Sequence, residues 1–242
     1  MSKIVFLHIP KTGGTSVHDF LVNQFDRQDV LPDRFNTLRE HSEEHLDNYK
    51  YFSGHYDFNG VKRIPGDKKI FTFMRDPKER ILSLYYFWKS HTNEHIEKHN
   101  LQGPRLAKKM NLLDFLCYKE NGIPANIDNS IARVFLGEMY CGPNQSFLYP
   151  EEQVLDIAKS NIDDLFCIGF MDDYEKSYKE VIKKLGFNSP SVIPHSRKEN
   201  DKNDPSREFV KKEPLTEEIN EELNRLVRFD QKIYEYCKEK FS

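Results

Sequence analysis

The sequence begins with an apolar run and a glycine-rich turn, and this stretch restricts the possible folds more than any other part of the chain. Ile4 to Leu7 form a continuous apolar run, as expected of a parallel strand that is covered on both faces. Pro10 ends the run, and Gly13 and Gly14 permit a tight turn. Apolar residues then recur at helical spacing: Val17, Phe20, Leu21 and Phe25. The order of strand, tight loop and helix predicts an α/β protein.

The predicted loop has the properties of a binding site for a phosphate-like anion. A helix N-terminus presents unpaired backbone N–H groups and the positive end of the helix dipole. Lys11 adds a full positive charge, and Thr12, Thr15 and Ser16 add hydroxyl donors. The loop is not a Walker A loop, because there the lysine follows the glycines. The alternative is an ordinary glycine turn of an α/β protein.

A second candidate anion site follows the segment Lys69-Ile-Phe-Thr-Phe-Met74, which predicts another strand. Arg75 ends this strand, and Asp76 with Pro77 has the pattern of a helix start. Arg75 can donate two hydrogen bonds to an anion, and Ser83 lies two turns further along the predicted helix. Both side chains together could hold a phosphate, although a capped helix with a surface arginine and serine has the same pattern.

A histidine follows a third predicted strand, over residues 49–53. Gly54 ends this strand and His55 comes directly after it. Ligands of open α/β sheets bind beyond the carboxyl ends of the strands. We therefore expect His55 to share a crevice with Lys11.

The two anion motifs, in this order along the chain, resemble those of sulfotransferases that use 3′-phosphoadenosine 5′-phosphosulfate (PAPS). The segment His8-Ile-Pro-Lys-Thr-Gly-Gly-Thr-Ser16 is similar to their 5′-phosphosulfate loop, in the form found in the branch with heparan sulfate 2-O-sulfotransferase. The segment Arg75-Asp-Pro-Lys-Glu-Arg-Ile-Leu-Ser83 resembles their 3′-phosphate motif. The resemblance implies a P-loop-like sulfotransferase fold, α/β with a central parallel sheet flanked by helices, in a single domain over residues 1–242.

The resemblance also implies roles for individual residues. His55, in the pair Gly54-His55, would be the catalytic base, and Lys11 would stabilise charge on the leaving group. PAPS, whose product is 3′-phosphoadenosine 5′-phosphate (PAP), would be bound by the following residues: Lys11, Thr12, Gly13, Gly14, Thr15, Ser16, Arg75 and Ser83.

Two further predictions depend on looser similarity to the family. The polar segment 188–214 is predicted to be an irregular loop over the nucleotide, in which Arg197 and Lys198 contact the 3′-phosphate. A merely solvated loop is the alternative. Arg133 resembles a residue near the acceptor groove, but helix packing explains it equally well.

The remaining patterns predict scaffold. Amphipathic helices are expected over residues 111–120, 127–136 and 150–161, a helix from 172 to about 186, a strand over 165–170 and one long C-terminal helix over 216–240. His91, His95 and His99 repeat every four residues and could ligate a metal, but no cysteine or carboxylate completes a set. A solvated helix face is therefore favoured, and no metal is expected.

Composition excludes several classes of protein. A formal net charge of -3 gives no basic field for nucleic acid. The 4 cysteines are widely spaced, which disfavours a zinc site or a disulfide framework and favours a reducing compartment. The sequence offers no signal peptide before the phosphate loop and no apolar stretch of about 18 residues. We therefore expect a soluble, cytoplasmic protein without a membrane segment.

The function implied by the resemblance is in-line transfer of a sulfuryl group from PAPS to a hydroxyl. A carbohydrate hydroxyl is the first choice, because the branch that the chain resembles acts on glycans. Five aromatic residues could line a sugar groove, although such residues are more often core: Tyr56, Phe58, Tyr85, Tyr86 and Trp88. Sulfation of a small alcohol, a nucleotide kinase and a non-catalytic nucleotide-binding module remain alternatives.

Overall fold

Four parallel strands form the central sheet in a computed structural model that describes residues 2–120, 122–138, 147–193 and 204–241. The strands are β1 (Lys3–Leu7), β2 (Tyr51–Gly54), β3 (Lys68–Met74) and β4 (Cys167–Phe170). Their order across the sheet is β2-β1-β3-β4, with every neighbouring pair parallel. The predicted α/β fold with a central parallel sheet is thereby confirmed.

Helices surround this sheet along the described chain. They are α1 (Gly14–Val22), α2 (Glu43–Asp47), α3 (Phe58–Lys62), α4 (Pro77–Lys89), α5 (Asn93–Lys98), α6 (Gln102–Lys109), α7 (Leu112–Cys117), α8 (Ile123–Ile127), α9 (Ser130–Leu136), α10 (Glu151–Asp163), α11 (Tyr174–Leu185), α12 (Glu217–Leu226) and α13 (Arg228–Phe241). No helix within the described ranges is long and apolar enough to span a membrane.

Both faces of the sheet are covered, which explains why β1 is a continuous apolar run. Val5 and Leu7 point into a cluster that α3, α9, α10 and α13 complete. Ile4 and Phe6 point the other way, against residues of α1 and α11. Each large apolar side chain that is fully buried in this way contributes about 1.5–3 kcal/mol to folding.

A third apolar cluster lies outside the sheet. It joins Tyr85 of α4 to α6, α7 and α12, with Phe115 of α7 at a ring-centroid distance of 5.0 Å. This cluster fixes α4 along its length. The residues of α4 that face the edge of the sheet are therefore held in place from behind.

The C-terminal segment is two helices, so the prediction of one helix over residues 216–240 is wrong. In a continuous helix the carbonyl of Leu226 would accept from the N–H of Asp230. Instead it accepts from the backbone N–H of Asn129, at 2.7 Å. The side-chain oxygen of Asn129 accepts from the N–H of Phe229 at 2.8 Å, at the start of α13.

Asp230, in the first turn of α13, caps the start of α9 in the same way. Its carboxylate accepts from the backbone N–H groups of Ala132 at 2.8 Å and Ile131 at 3.1 Å. Asn129 thus caps the N-terminus of α13, and Asp230 caps the N-terminus of α9. Both side chains accept from backbone N–H groups that have no partner within their own helix. The break between α12 and α13 follows from this tertiary contact, and local propensity does not show it.

Other boundaries also differ from the predicted ones. The segment predicted as helices 111–120 and 127–136 forms three helices, α7, α8 and α9. The described parts of the predicted irregular loop, 188–193 and 204–214, contain no helix or strand, only an isolated bridge between Arg207 and His91.

Candidate active site

The residues that directly follow the four strands meet in one cavity. These residues are His8, His55, Arg75 and Met171, after β1, β2, β3 and β4 respectively. Because the strands are parallel, their carboxyl ends share one edge of the sheet. The sheet reverses its winding direction between β1 and β3, and the loop after β1 lies at this point. The cavity therefore occupies the place where open α/β sheets bind ligands.

The cavity has a volume of about 820 Å³, large enough for a nucleotide with part of a second substrate. The N-terminus of α1 forms one wall, and α4 and the α8–α9 segment form others. The lining residues most relevant to chemistry are Lys11, Gly13, Gly14, Thr15, Ser16, Phe35, His55, Arg75, Arg80, Ser83, Phe87, Trp88, Asn126 and Ser130.

The loop between β1 and α1 packs tightly at two glycines. Gly13 has a φ of 75°, in the left-handed region, and caps α1 without a side-chain hydrogen bond. A Cβ on Gly14 would lie 2.3 Å from the ring of His8. Tyr174 steadies the loop by donating a hydrogen bond to the carbonyl of Gly13 at 3.0 Å. The first N–H groups of the nine-residue helix α1 are thereby held at the cavity wall.

Lys11 lies in this loop with its ammonium group over an aromatic ring. Its Nζ atom is 3.6 Å from the ring centroid of Phe87, a residue of α4 that also lines the cavity. The guanidinium of Arg207 packs against the same ring at 3.9 Å. The negative face of the ring attracts the ammonium group. Phe87 is thus a site residue that the sequence analysis did not identify.

His55 has a defined hydrogen-bonding state. Its Nδ1 atom lies 2.7 Å from the backbone carbonyl oxygen of His8, which can only accept a hydrogen bond. Nδ1 therefore carries the proton in the neutral ring, and Nε2 has the free lone pair. No described residue donates a hydrogen bond to Nε2. Burial, with a smaller contribution from the positive charge of Arg34, lowers the pKa of His55 below its ordinary value of 6.5.

His8 is a second imidazole at the same edge of the sheet. Its ring centroid is 4.5 Å from that of His55 and 5.0 Å from that of Phe6, on which it stacks. Burial, followed by the charges around it, holds the pKa of His8 well below 6.5. Both rings are consequently neutral at neutral pH. His8 occupies the same position after β1 as His55 does after β2, and this parallel was available in the sequence.

The second anion motif lines the same cavity. Arg75 is partly exposed, and its Nε atom is 3.3 Å from Glu79 in a surface ion pair. Such a pair is worth about 0–1 kcal/mol and yields easily to a phosphate. Ser83 is buried on α4 and lines the same cavity.

The structure thus brings together most of the predicted site residues: Lys11, Gly13, Gly14, Thr15, Ser16, His55, Arg75 and Ser83. Thr12 is different, because its side chain is buried and donates to the carbonyl of Ile9 at 2.8 Å. Its hydroxyl stabilises the loop and does not line the cavity. Arg197 and Lys198 lie outside the described residues.

Arg133 does not belong to the cavity. Its side chain is 1% exposed and donates from Nε to the carbonyl of Asp128 at 2.9 Å, with its guanidinium against Phe147. The packing interpretation of this arginine is the one that its surroundings support. Of the five aromatics considered for a sugar groove, Trp88 lines the cavity and the other four are buried in the core: Tyr56, Phe58, Tyr85 and Tyr86.

The three spaced histidines do not form a metal site. His91 precedes α5 and is buried, with its Nδ1 atom 3.0 Å from the carbonyl oxygen of Trp88, to which the ring can only donate, so it is not on a solvated helix face. The ring of His95 stacks on that of His91, and the ring of His99 lies tilted against it at a centroid distance of 4.5 Å. Among the described residues, no group of three or more histidine, cysteine, aspartate or glutamate side chains could hold a metal ion.

Comparison with known proteins agrees with the geometry. A family model described as the sulfotransferase family matches residues 1–237. Uronyl 2-sulfotransferases from Homo sapiens and Mus musculus are each 26% identical over 200 residues, which covers 78% of this chain and 47% of theirs. A protein-tyrosine sulfotransferase from Arabidopsis thaliana is 33% identical over 86 residues, 35% of this chain and 17% of its own. The chain therefore spans about half the length of the uronyl relatives and a smaller part of the plant protein.

Proposed function

Because the chain belongs to the sulfotransferase family, we propose that it transfers the sulfuryl group of PAPS to a hydroxyl of a carbohydrate. The observation that carries this proposal is the arrangement of His55. A neutral imidazole with a free Nε2 shares one cavity with Lys11 and with the N-terminus of α1. A base, a cation and an anion-binding loop are the groups that such a transfer requires.

The residues of the cavity fit PAPS. The glycine loop presents the backbone N–H groups at the start of α1 to the cavity, as a 5′-phosphate needs. Added side chains at Gly13 and Gly14 would collide with Met171 and His8, so glycine allows the loop to pack in this shape. Arg75 and Ser83, which line the same cavity, would bind the second phosphate, at the 3′ position. The loop residues that would hold the 5′ end are Lys11, Gly13, Gly14, Thr15 and Ser16.

When bound, PAPS supplies a sulfur atom joined through oxygen to a phosphate that can depart. Lys11 would place its ammonium group beside that oxygen and stabilise the negative charge as it develops. Its contact with Phe87 holds the side chain in the cavity until then. The backbone N–H groups of the loop would stabilise the same charge.

His55 would act as the general base. Its Nε2 atom takes the proton of the acceptor hydroxyl while the hydroxyl oxygen forms a bond to sulfur. The bond between sulfur and the phosphate oxygen breaks, and PAP leaves. The hydrogen bond from Nδ1 to the carbonyl of His8 stabilises the imidazolium that results. General-base assistance of this kind typically contributes about 10²–10⁴-fold to the rate.

A carbohydrate acceptor is supported by the mouth of the cavity. Phe35 lines the cavity and is 70% exposed, although it is a large aromatic residue. It follows Arg34, whose backbone carbonyl accepts from the N–H of His55 at 2.8 Å, so the aromatic ring belongs to the segment beside the base. Exposed aromatic faces suit the apolar faces of sugar rings. The uronyl 2-sulfotransferases, by name, act on a uronic sugar.

Radiolabelled PAPS tests the proposal directly. The protein is incubated with [³⁵S]PAPS and one acceptor in each of three reactions. The acceptors are a glycan containing uronic acid, a tyrosine peptide and a small alcohol. We expect the label to be transferred to the glycan and to stay with the glycan after unreacted donor has been removed. Binding of PAP without transfer to any acceptor would favour the non-catalytic module, and turnover that depends on ATP and Mg²⁺ would favour a kinase. Transfer only to the peptide or the alcohol would retain the enzyme class and reject the acceptor.

A further inference from the structure

The loop over residues 33–37 is bound along its length to the segment that holds the proposed base. The loop belongs to no helix or strand, so its shape depends on contacts with other segments. The carbonyl of Asp33 accepts from the hydroxyl of Tyr56 at 2.6 Å. The carbonyl of Arg34 accepts from the backbone N–H of His55 at 2.8 Å. The loop therefore follows the chain that leaves β2.

Asn36 continues this attachment through a two-point contact with Asp57. Its side-chain oxygen accepts from the N–H of Asp57 at 2.9 Å, and its amide nitrogen donates to the carboxylate of Asp57 at 2.7 Å. Asp57 is 2% exposed, and its carboxylate also accepts from the N–H of Gly60 at 2.8 Å and from Arg39 at 2.6 Å. Hydrogen bonds to an ionised carboxylate are stronger than those between neutral groups. The Asn36–Asp57 pair is thus a firm anchor for the loop.

Phe35 lies between the two anchored residues, Arg34 and Asn36. Its ring lines the cavity together with His55, yet the residue is 70% exposed. Because so exposed a ring has few neighbours, packing does not fix its place. The distance between the ring and the imidazole of His55 is therefore set by the hydrogen bonds on either side of Phe35.

We propose that the Asn36–Asp57 pair determines which hydroxyl of the acceptor is sulfated. This inference rests on the proposed function, because it concerns the same acceptor and the same base. A sugar ring carries neighbouring hydroxyls of similar reactivity. A sugar that stacks on Phe35 presents one of them to Nε2 of His55 only while the aromatic ring keeps its distance from the imidazole. Since a misplacement of about 1 Å can change a rate about 10²-fold, a loose loop would let a second hydroxyl react.

The role of Asn36 is that of a positioning residue, which acts on the acceptor through Phe35. It touches neither the nucleotide loop nor the imidazole in the described contacts. Its removal should therefore change the choice of hydroxyl and leave nucleotide binding almost unaltered. A residue that only stabilises the fold has no reason to favour one hydroxyl of a sugar over its neighbour.

The test measures the positional isomers formed from one acceptor. Wild type, Asn36→Ala, Phe35→Ala and the double variant are each incubated with PAPS and a disaccharide that contains uronic acid. Nuclear magnetic resonance of the monosulfated products gives the ratio of the major isomer to the next. We expect Asn36→Ala to lower this ratio about 10-fold and to bind PAP within about threefold of the wild type. Asn48→Ala, at an exposed position outside the cavity, should keep the wild-type ratio.

The double variant separates positioning from a general loss of structure. If Asn36 acts through Phe35, Phe35→Ala lowers the ratio by a similar factor, and the addition of Asn36→Ala lowers it no further. A second loss of the same size in the double variant would overturn the inference. An unchanged ratio in a folded Asn36→Ala protein would overturn it as well.

The test does not depend on the folding of Asn36→Ala, which leaves the N–H of Asp57 without its acceptor. Asn36→Gln keeps the amide on a side chain that is one methylene longer, and its ratio should also fall. Phe35→Ala changes an exposed side chain, so an unchanged ratio in that variant is sufficient to overturn the inference. A wild type that sulfates no acceptor would contradict the proposed function, whereas full transfer with unchanged ratios contradicts only the role of the Asn36–Asp57 pair.

Discussion

The Nδ1 atom of His55 lies 2.7 Å from the backbone carbonyl oxygen of His8, and this single contact defines the chemistry available to the imidazole. A carbonyl oxygen only accepts, so the ring must donate from Nδ1 and keep its lone pair on Nε2. The two residues directly follow β1 and β2, which are paired in parallel register. The sheet itself therefore orients the proposed base.

The pH dependence of kcat/KM should report the lowered pKa of His55. Burial disfavours the imidazolium, so the base is neutral above a folded-state pKa that lies below 6.5. The rate should stay constant as pH falls from 8 towards about 6.5 and decline only at lower pH. Steady-state kinetics in buffers of constant ionic strength measure this decline of kcat/KM at acidic pH. A decline centred at or above the ordinary histidine pKa would contradict the assignment.

Lys11→Met should lower kcat far more than it lowers nucleotide affinity. The ammonium group is proposed to act on charge that appears only in the transition state, so its removal should cost about 10²–10³-fold in kcat. PAP binding measured by calorimetry should weaken much less, because the backbone N–H groups of the loop remain. The exposed Lys98 on α5 gives the matched control, and Lys98→Met should behave as the wild type. Equal losses in kcat and in affinity would instead make Lys11 a simple binding residue.

Phe35→Ala should raise the KM for the carbohydrate acceptor and leave the affinity for PAP unchanged. The ring is exposed at the cavity mouth, and loss of an aromatic stacking contact costs about 0.5–1.5 kcal/mol, or up to about tenfold in KM. Phe209, which is 76% exposed and does not line the cavity, provides the control Phe209→Ala. An unchanged acceptor KM, measured with saturating PAPS, would remove Phe35 from the acceptor site.

Asp230→Ala should destabilise the fold through the capping of α9. The substitution leaves the buried N–H groups of Ile131 and Ala132 without their acceptor, at an expected cost of about 1–3 kcal/mol in the free energy of unfolding. Urea denaturation followed by circular dichroism measures this change. Asp164→Ala, at an exposed position after α10, should change stability by less than about 0.5 kcal/mol. Similar values for both variants would mean that the reciprocal capping contributes little.

The sequence predicted the parts of the fold that depend on local pattern. The strands expected over residues 4–7 and 69–74 are observed as Lys3–Leu7 and Lys68–Met74, because both segments are mostly apolar with a proline three residues beyond the end. The helix start at Asp76 was also correct, since its side chain accepts from the N–H of Glu79 at 3.0 Å. These features are encoded within a few residues of one another.

Features that depend on distant residues were missed. The break near Val227 follows from Asn129, about a hundred positions earlier, which diverts the carbonyl of Leu226. The burial of Arg80 was equally hidden, because its side chain donates to the carbonyl of Asn126, 46 positions later in the chain. Both features come from tertiary contacts that local periodicity does not show.

The candidate site was predicted best where chemistry follows a strand end. Lys11, His55 and Arg75 were identified by their positions after predicted strands, and all three line the cavity. Phe87 was missed because an aromatic residue on a helix is ordinarily core, and its contact with Lys11 joins segments far apart in the chain. The catalytic and binding roles of the identified residues stay predictions.

The rate of sulfuryl transfer by His55→Ala, measured together with its affinity for PAP, tests the proposed mechanism most directly. Removal of the base should slow transfer by about 10²–10⁴-fold. PAP should still bind within about threefold of the wild type, because the imidazole acts on the acceptor hydroxyl and not on the nucleotide. His45→Ala, at an exposed position outside the cavity, should match the wild type in both measurements. A His55→Ala protein that transfers the label at the wild-type rate would contradict the assignment of His55 as the base.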